Sequence, residues 1–182
     1  MLPNVSPPNH VPKTTVEKAT ALCHVSGLER KNMNERPNRP FVILLVEDEP
    51  ADAYLIKVAL RETRAPIELH WVNDGIEAFE FLRREGDGFR AAPHPNLILL
   101  DLNMPRMDGR EFLTAIKQEP QFRDIPVIML TTSDVERDVL ASYQLGAAGY
   151  VVKPVGLAEL AAAVKGLEHY WFGVVRLPGA HR

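Results

Sequence analysis

The chain has a single cysteine, Cys23, among its 182 residues. One thiol excludes an internal disulfide and any cysteine-rich metal centre. No apolar run approaches the length of a membrane span, and the opening residues lack the charged start and apolar core of a signal peptide. The net charge of -3 leaves no basic surplus that would call for nucleic acid or an anionic membrane. Neither glycine-rich phosphate signature, G-x-x-x-x-G-K-[ST] or G-x-G-x-x-G, is present, so nucleotide binding is disfavoured. No internal repeat is visible. The expectation is one ordinary domain with additional segments, in the reducing cytoplasm.

The first 39 residues differ from the rest. Pro3, Pro7, Pro8, Pro12 and Pro37 sit among Asn, Ser, Lys and Glu, with few large apolar side chains. Such a stretch buries little surface and reads as a disordered extension. A short helix around Thr15 to Leu28 and an alternative start at Met33 both remain open.

From residue 40 onward, apolar runs alternate with helical patterns. Phe41–Val46, Leu97–Leu100 and Ile125–Thr131 read as strands buried on both faces, Ile67–Val72 as a β-rich edge strand, and Tyr150–Lys153 as a last strand. Helices follow each one. The first starts at Pro50, with Ala51, Tyr54, Leu55, Val58 and Ala59 at the spacing of one face. The second turns in after Asn73, Asp74 and Gly75 and buries Ile76, Phe79 and Leu82. A long loop spans Gly86 to Asn96. The third helix runs from Gly109 to about Gln118. The fourth is capped by Ser133 or Asp134 and stopped by Gly146, and the fifth covers about Leu157 to His169. Five such repeats predict an α/β fold with a doubly wound parallel sheet and right-handed crossovers.

A parallel sheet brings all strand ends to one edge, where open α/β sheets place their chemistry. Glu47 and Asp48 end the first strand, Asp101 the third, Thr131 the fourth and Lys153 the fifth. Singly, the acids could cap the next helix, Thr131 is a good β-former and Lys153 could be a solvated charge. Together they place three mutually repelling carboxylates beside a hydroxyl and an ammonium. A hard divalent cation such as Mg²⁺ relieves that repulsion. A carboxylate beside such a cation and a lysine suits a nucleophile for a phosphoryl group.

These residues sit in the motifs L-L-V-E-D-E-P, L-I-L-L-D-L-N-M-P-R-M-D-G, P-V-I-M-L-T-T-S and G-A-A-G-Y-V-V-K-P. Over Phe41 to His169 the chain resembles the receiver domain of two-component response regulators. The resemblance implies a flavodoxin-like (βα)5 fold with strand order 2-1-3-4-5 and a domain covering residues 40–170. It implies that Asp101 is phosphorylated by a sensor histidine kinase. Glu47, Asp48, Asp101 and the backbone carbonyl of Asn103 would hold Mg²⁺, with Glu47 where the family most often has Asp. Thr131 would bond the phosphoryl group, Lys153 would pair with it, and Tyr150 would be the aromatic switch. Asn103 and Ser133 would tune the lifetime of the phosphate, and the Lys153–Pro154 bond is expected to be cis. The implied switch alters the face formed by the fourth helix, fifth strand and fifth helix.

After His169 the chain continues as Y-W-F-G-V-V-R-L-P and a short tail, too little for a helix-turn-helix or a catalytic module. Residues 171–182 are apolar. The expectation is that part of Trp171 and Phe172 packs inward and part forms a homodimer contact. This tail, the loop around Glu85 to Phe89 and the phrase D-G-R-E-F-L resemble single-domain regulators paired with phytochrome-type kinases. The chain is therefore not expected to be a free-standing enzyme. An adaptor working by contacts alone is a second reading. An aspartyl-phosphate phosphatase is disfavoured because Asn103 stands where that class needs a second Asp as acid.

Overall fold

The computed structural model describes residues 40–61, 66–132, 136–154, 156–168 and 170–171. The expected extension over 1–39, the cap at Ser133 or Asp134, and Phe172 with the tail after it lie outside the described residues.

Five strands form one parallel sheet: β1 (Phe41–Val46), β2 (Ile67–Val72), β3 (Leu97–Leu100), β4 (Val127–Thr131) and β5 (Gly149–Val152). Their order is β2-β1-β3-β4-β5, the flavodoxin-like arrangement, with β2 and β5 at the edges. The helices are α1 (Pro50–Arg61), α2 (Gly75–Arg83), α3 (Gly109–Gln118), α4 (Glu136–Gln144) and α5 (Leu157–Glu168). The loop expected from Gly86 also contains one helical turn, Gly86–Phe89.

Alternation along the strands divides the core in two. Leu44, Val46, Ile98, Leu100, Val127 and Met129 pack on Phe79, Phe81, Phe112, Leu113 and Ile116 from α2 and α3. Ile43, Leu45, Leu97, Leu99, Ile128 and Leu130 pack on Ala53, Ile56, Ala59 and Leu60 of α1 and Leu160 of α5. Both faces of β1, β3 and β4 are therefore dry, which is why these strands read as unbroken apolar runs. Trp171 is buried in the second cluster and Tyr170 is exposed, so the inward half of the expected split after α5 is present.

Two helical faces correct the sequence reading. In α1, the buried set is Ala53, Ile56, Ala59 and Leu60, while Tyr54 is 65% exposed. Two overlapping apolar sets share Ala59, and the one that wins keeps the polar tip of Tyr54 in water. In α2, Phe79 and Leu82 are buried as expected but Ile76, in the first turn, is exposed. Strand limits shift slightly: β4 starts at Val127, and Lys153 follows β5 rather than ending it. There is no cis peptide bond among the described residues, so the expected cis Lys153–Pro154 bond is absent. The isomers of a bond to proline differ by only about 0.5–1 kcal/mol, so motif alone does not select one.

Candidate functional site

The site is assembled at the carboxyl edge of the sheet. β1 delivers Glu47, which is buried, and Asp48, which lies nearer the surface. β3 runs directly into Asp101, buried at 6% exposure. The Asp101 N–H donates to the Val46 carbonyl at 2.9 Å, which ties the two acidic strand ends together. β4 ends in the fully buried Thr131. The Thr131 carbonyl accepts from the Lys153 N–H at 2.7 Å, and this bond sets the base of the lysine.

Glu47, Asp48 and Asp101 each offer an oxygen within 4.8 Å of the others. Into this cluster reaches Lys153, whose Nζ lies 2.5 Å from Glu47 Oε2, 2.9 Å from Asp52 Oδ2 and 3.1 Å from Asp101 Oδ1. Burial pushes the Glu47 carboxyl up to about 7, and the charges of Asp101 and Asp52 act in the same direction. The bond and charge of Lys153 oppose them without cancelling them. Burial pulls Lys153 down, but the bonds to Glu47 and Asp52 and the charge of Asp101 outweigh it, so its ammonium is held above the usual lysine range. The donor set is all oxygen, partly dry and over-supplied with negative charge, which fits a hard divalent cation.

The surrounding chain is shaped to hold these groups. Asn103 donates its backbone N–H to Asp101 Oδ2 at 2.9 Å, so the loop after β3 turns its amide toward the carboxylate. That loop is clamped from two sides. Arg106, at a φ of 65°, pairs with the buried Asp74 and with Glu77. Asp74 in turn caps α2 through Ile76 N–H at 2.8 Å and Glu77 N–H at 3.0 Å. On the other side, Asp108 and Glu111 form a capping box at the start of α3. Gly109 packs its Cα against the Asp101 carbonyl. The indole N–H of Trp71 donates to the Glu47 carbonyl at 2.8 Å and fixes the end of β1.

Glu47, Asp48, Asp101 and Lys153 thus meet as the sequence predicts. Thr131 sits at the neighbouring strand end, and Tyr150 is half-buried on β5 against the α2–α3 core. Asp52 and Trp71 were not anticipated. Asp52 lies in E-D-E-P-A-D, in the first turn of α1, where an acid reads as a partner of the helix dipole. Trp71 carried no signal beyond its strand propensity.

The model for the response regulator receiver domain matches residues 43–165. Response regulator Rcp1 of Synechocystis sp. (strain ATCC 27184 / PCC 6803 / Kazusa) is 46% identical over 148 residues, covering 81% of this chain and 100% of Rcp1. The phosphorylated cyanobacterial phytochrome response regulator RcpA superposes with a TM-score of 0.72 at 44% identity, over 77% of this chain and 99% of that one. The Mn²⁺-bound form of Rcp1 superposes with a TM-score of 0.70 at 47% identity, over 76% of this chain and 99% of that one. This chain belongs to the response regulator receiver-domain family.

Proposed function

We propose that the protein is a phosphoryl-accepting switch in which Asp101 takes a phosphoryl group from a histidine kinase of the phytochrome type. The observation that carries this reading is the convergence of Glu47, Asp48, Asp101 and Lys153 on one edge of the sheet. The likeness to the phytochrome response regulator RcpA supports the phytochrome-type partner.

In this reading an Asp101 oxygen attacks phosphorus, the bond from phosphorus to the donor nitrogen breaks, and an acyl phosphate forms. Glu47, Asp48, Asp101 and the Asn103 carbonyl would hold Mg²⁺, which supplies positive charge against the phosphoryl oxygens. Lys153 supplies a second positive charge from the β5 side and neutralises the incoming group. Thr131 donates its hydroxyl to a phosphoryl oxygen, and Tyr150 turns further inward as Thr131 is drawn toward Asp101. The change emerges on the face of α4, β5 and α5. Leu140, Tyr143 and Val152 are exposed there, at 58%, 51% and 43%, which suits a homodimer contact or a downstream protein. Water ends the signal by hydrolysing the acyl phosphate, so the chain's chemistry in this reading is its own phosphorylation and dephosphorylation. No described helix is long and apolar enough to cross a membrane. A cytoplasmic location agrees with the kinase partner proposed.

Intact mass after incubation with acetyl phosphate and Mg²⁺ tests the acceptor. The native chain gains one phosphoryl group, whereas Asp101→Asn and the chelated native chain gain none. Transfer from a purified phytochrome-type kinase to the native chain tests the partner. Absence of an adduct from both donors would overturn the reading.

A further inference from the structure

Lys153 is held by three carboxylates, and only two of them belong to the acidic trio at the strand ends. The third, Asp52, stands outside that trio. Its side chain is 35% exposed, while that of Lys153 is only 8% exposed. Asp52 therefore sits at the rim and reaches in to a nearly buried ammonium. It is mounted on a rigid part of the molecule, because the adjacent Ala53 and the following Ile56 are buried against the sheet.

A lysine brings a point charge on a flexible four-carbon stem, so delivering that charge to one place requires the stem to be ordered. The Thr131 carbonyl fixes the base of Lys153. Something must also fix the tip. Glu47 Oε2 is the nearest partner at 2.5 Å. That contact is already a tight ion pair, and with only Asp101 at 3.1 Å to oppose it the ammonium would settle wholly on Glu47. That would draw it from Asp101 and engage one of the three clustered acids. Asp52 offers a competing anion on the α1 side, 2.9 Å from Nζ.

We propose that Asp52 is a positioning residue for phosphoryl acceptance: its carboxylate shares the Lys153 ammonium with Glu47 and holds it beside Asp101 Oδ1. The inference rests on the reading of Asp101 as acceptor and adds to it a residue that need not touch metal or phosphate. In the full chain, Asp52→Ala and Asp52→Asn lower the maximal rate of acyl phosphate formation about tenfold at saturating Mg²⁺, the scale expected when a charged group is misplaced by a fraction of an ångström. Asp52→Glu, which keeps the charge, restores the rate to within about threefold. The acetyl phosphate concentration at half-maximal rate changes less than the maximum does. A purely structural role would lower thermal stability without this split. An unchanged maximal rate in Asp52→Ala overturns the proposal. So does a loss confined to Mg²⁺ affinity, which would mark Asp52 as a distant field effect only.

A second measurement does not depend on phosphate. Acylation of the Lys153 amine by an activated ester, read by peptide mass at fixed pH, is slow in the native chain and severalfold faster in Asp52→Ala. Equal labelling in the two proteins overturns the proposal. Failure of the native chain to take phosphate from any donor would sink the acceptor reading instead, and the labelling would still decide whether Asp52 holds the lysine.

Discussion

The Cα of Gly109 lies so close to the backbone carbonyl of Asp101 that a Cβ there would overlap its oxygen and stand 3.0 Å from Leu102 Cα. The Gly109 N–H also donates to the Leu102 carbonyl at 3.0 Å, so the start of α3 is fastened under the proposed acceptor. Both atoms in the way are backbone, and neither can swing aside. Gly109→Ala is therefore expected to destabilise the fold by about 2–3 kcal/mol, the upper range for forced overpacking. It also displaces Asp101 and lowers phosphoryl uptake beyond what the loss of folded protein explains. Urea unfolding and intact-mass assays on the same preparation check both parts.

Asp108 accepts from Arg110 N–H and Glu111 N–H, each at 2.8 Å, while Glu111 reaches back to the Asp108 N–H at 3.1 Å. Loss of this box in Asp108→Ala costs about 1 kcal/mol, as is usual for a helix N-cap. Asp108→Asn keeps the acceptor and loses only a few tenths of a kcal/mol. Equal unfolding midpoints for Asp108→Ala and the native chain would remove the box as a source of stability.

Arg106 combines a favourable contact with a strained backbone. Its guanidinium is the partner of the buried Asp74, and its φ of 65° lies in the region that glycine adopts without penalty. Arg106→Ala removes the ion pair and keeps the strain. Arg106→Gly removes both. The expected order of thermal midpoints is native above Arg106→Gly, and Arg106→Gly above Arg106→Ala. If the glycine variant melts highest, strain outweighs the ion pair.

Trp71 is 46% exposed, yet its indole N–H is committed to the Glu47 carbonyl. Trp71→Phe keeps most of the ring contact and deletes one hydrogen bond. A loss of about 1 kcal/mol in unfolding free energy is expected. Mg²⁺ affinity, followed by calorimetry, falls as well because the end of β1 is less firmly held. Undisturbed Mg²⁺ binding would separate Trp71 from the site.

Strands buried on both faces announce themselves, because β1, β3 and β4 are apolar at every position but the closing Thr131 and no choice of face is needed. The same topology made the meeting of Glu47, Asp48, Asp101 and Lys153 readable, since parallel strands share one carboxyl edge. Helix faces were harder. α1 carries two apolar sets that overlap at Ala59, and only the sheet decides between them. Ile76 has the right spacing for burial but sits in the first turn of α2, where it stays in water. Contacts between side chains far apart in the sequence left no periodic trace, so neither the Arg106–Asp74 clamp nor the Asp52–Lys153 pair was visible in the chain. The amphipathic signal reports apolar burial, and each of these pairs joins a buried charged group to a partner at the rim.

The Lys153–Glu47 pair joins residues separated by 106 positions, from the first strand to the turn after the last. A chain emerging in order holds its carboxylates together as soon as β3 docks on β1, but their counter-charge arrives only with β5. Until then the cluster is an unbalanced knot of like charges inside a sheet with an open edge. Parallel pairing of strands far apart in the chain is slow to form. On the proposed reading, a chain that stops short of β5 has the nucleophile without its lysine, so phosphoryl uptake would report that the last strand is in place.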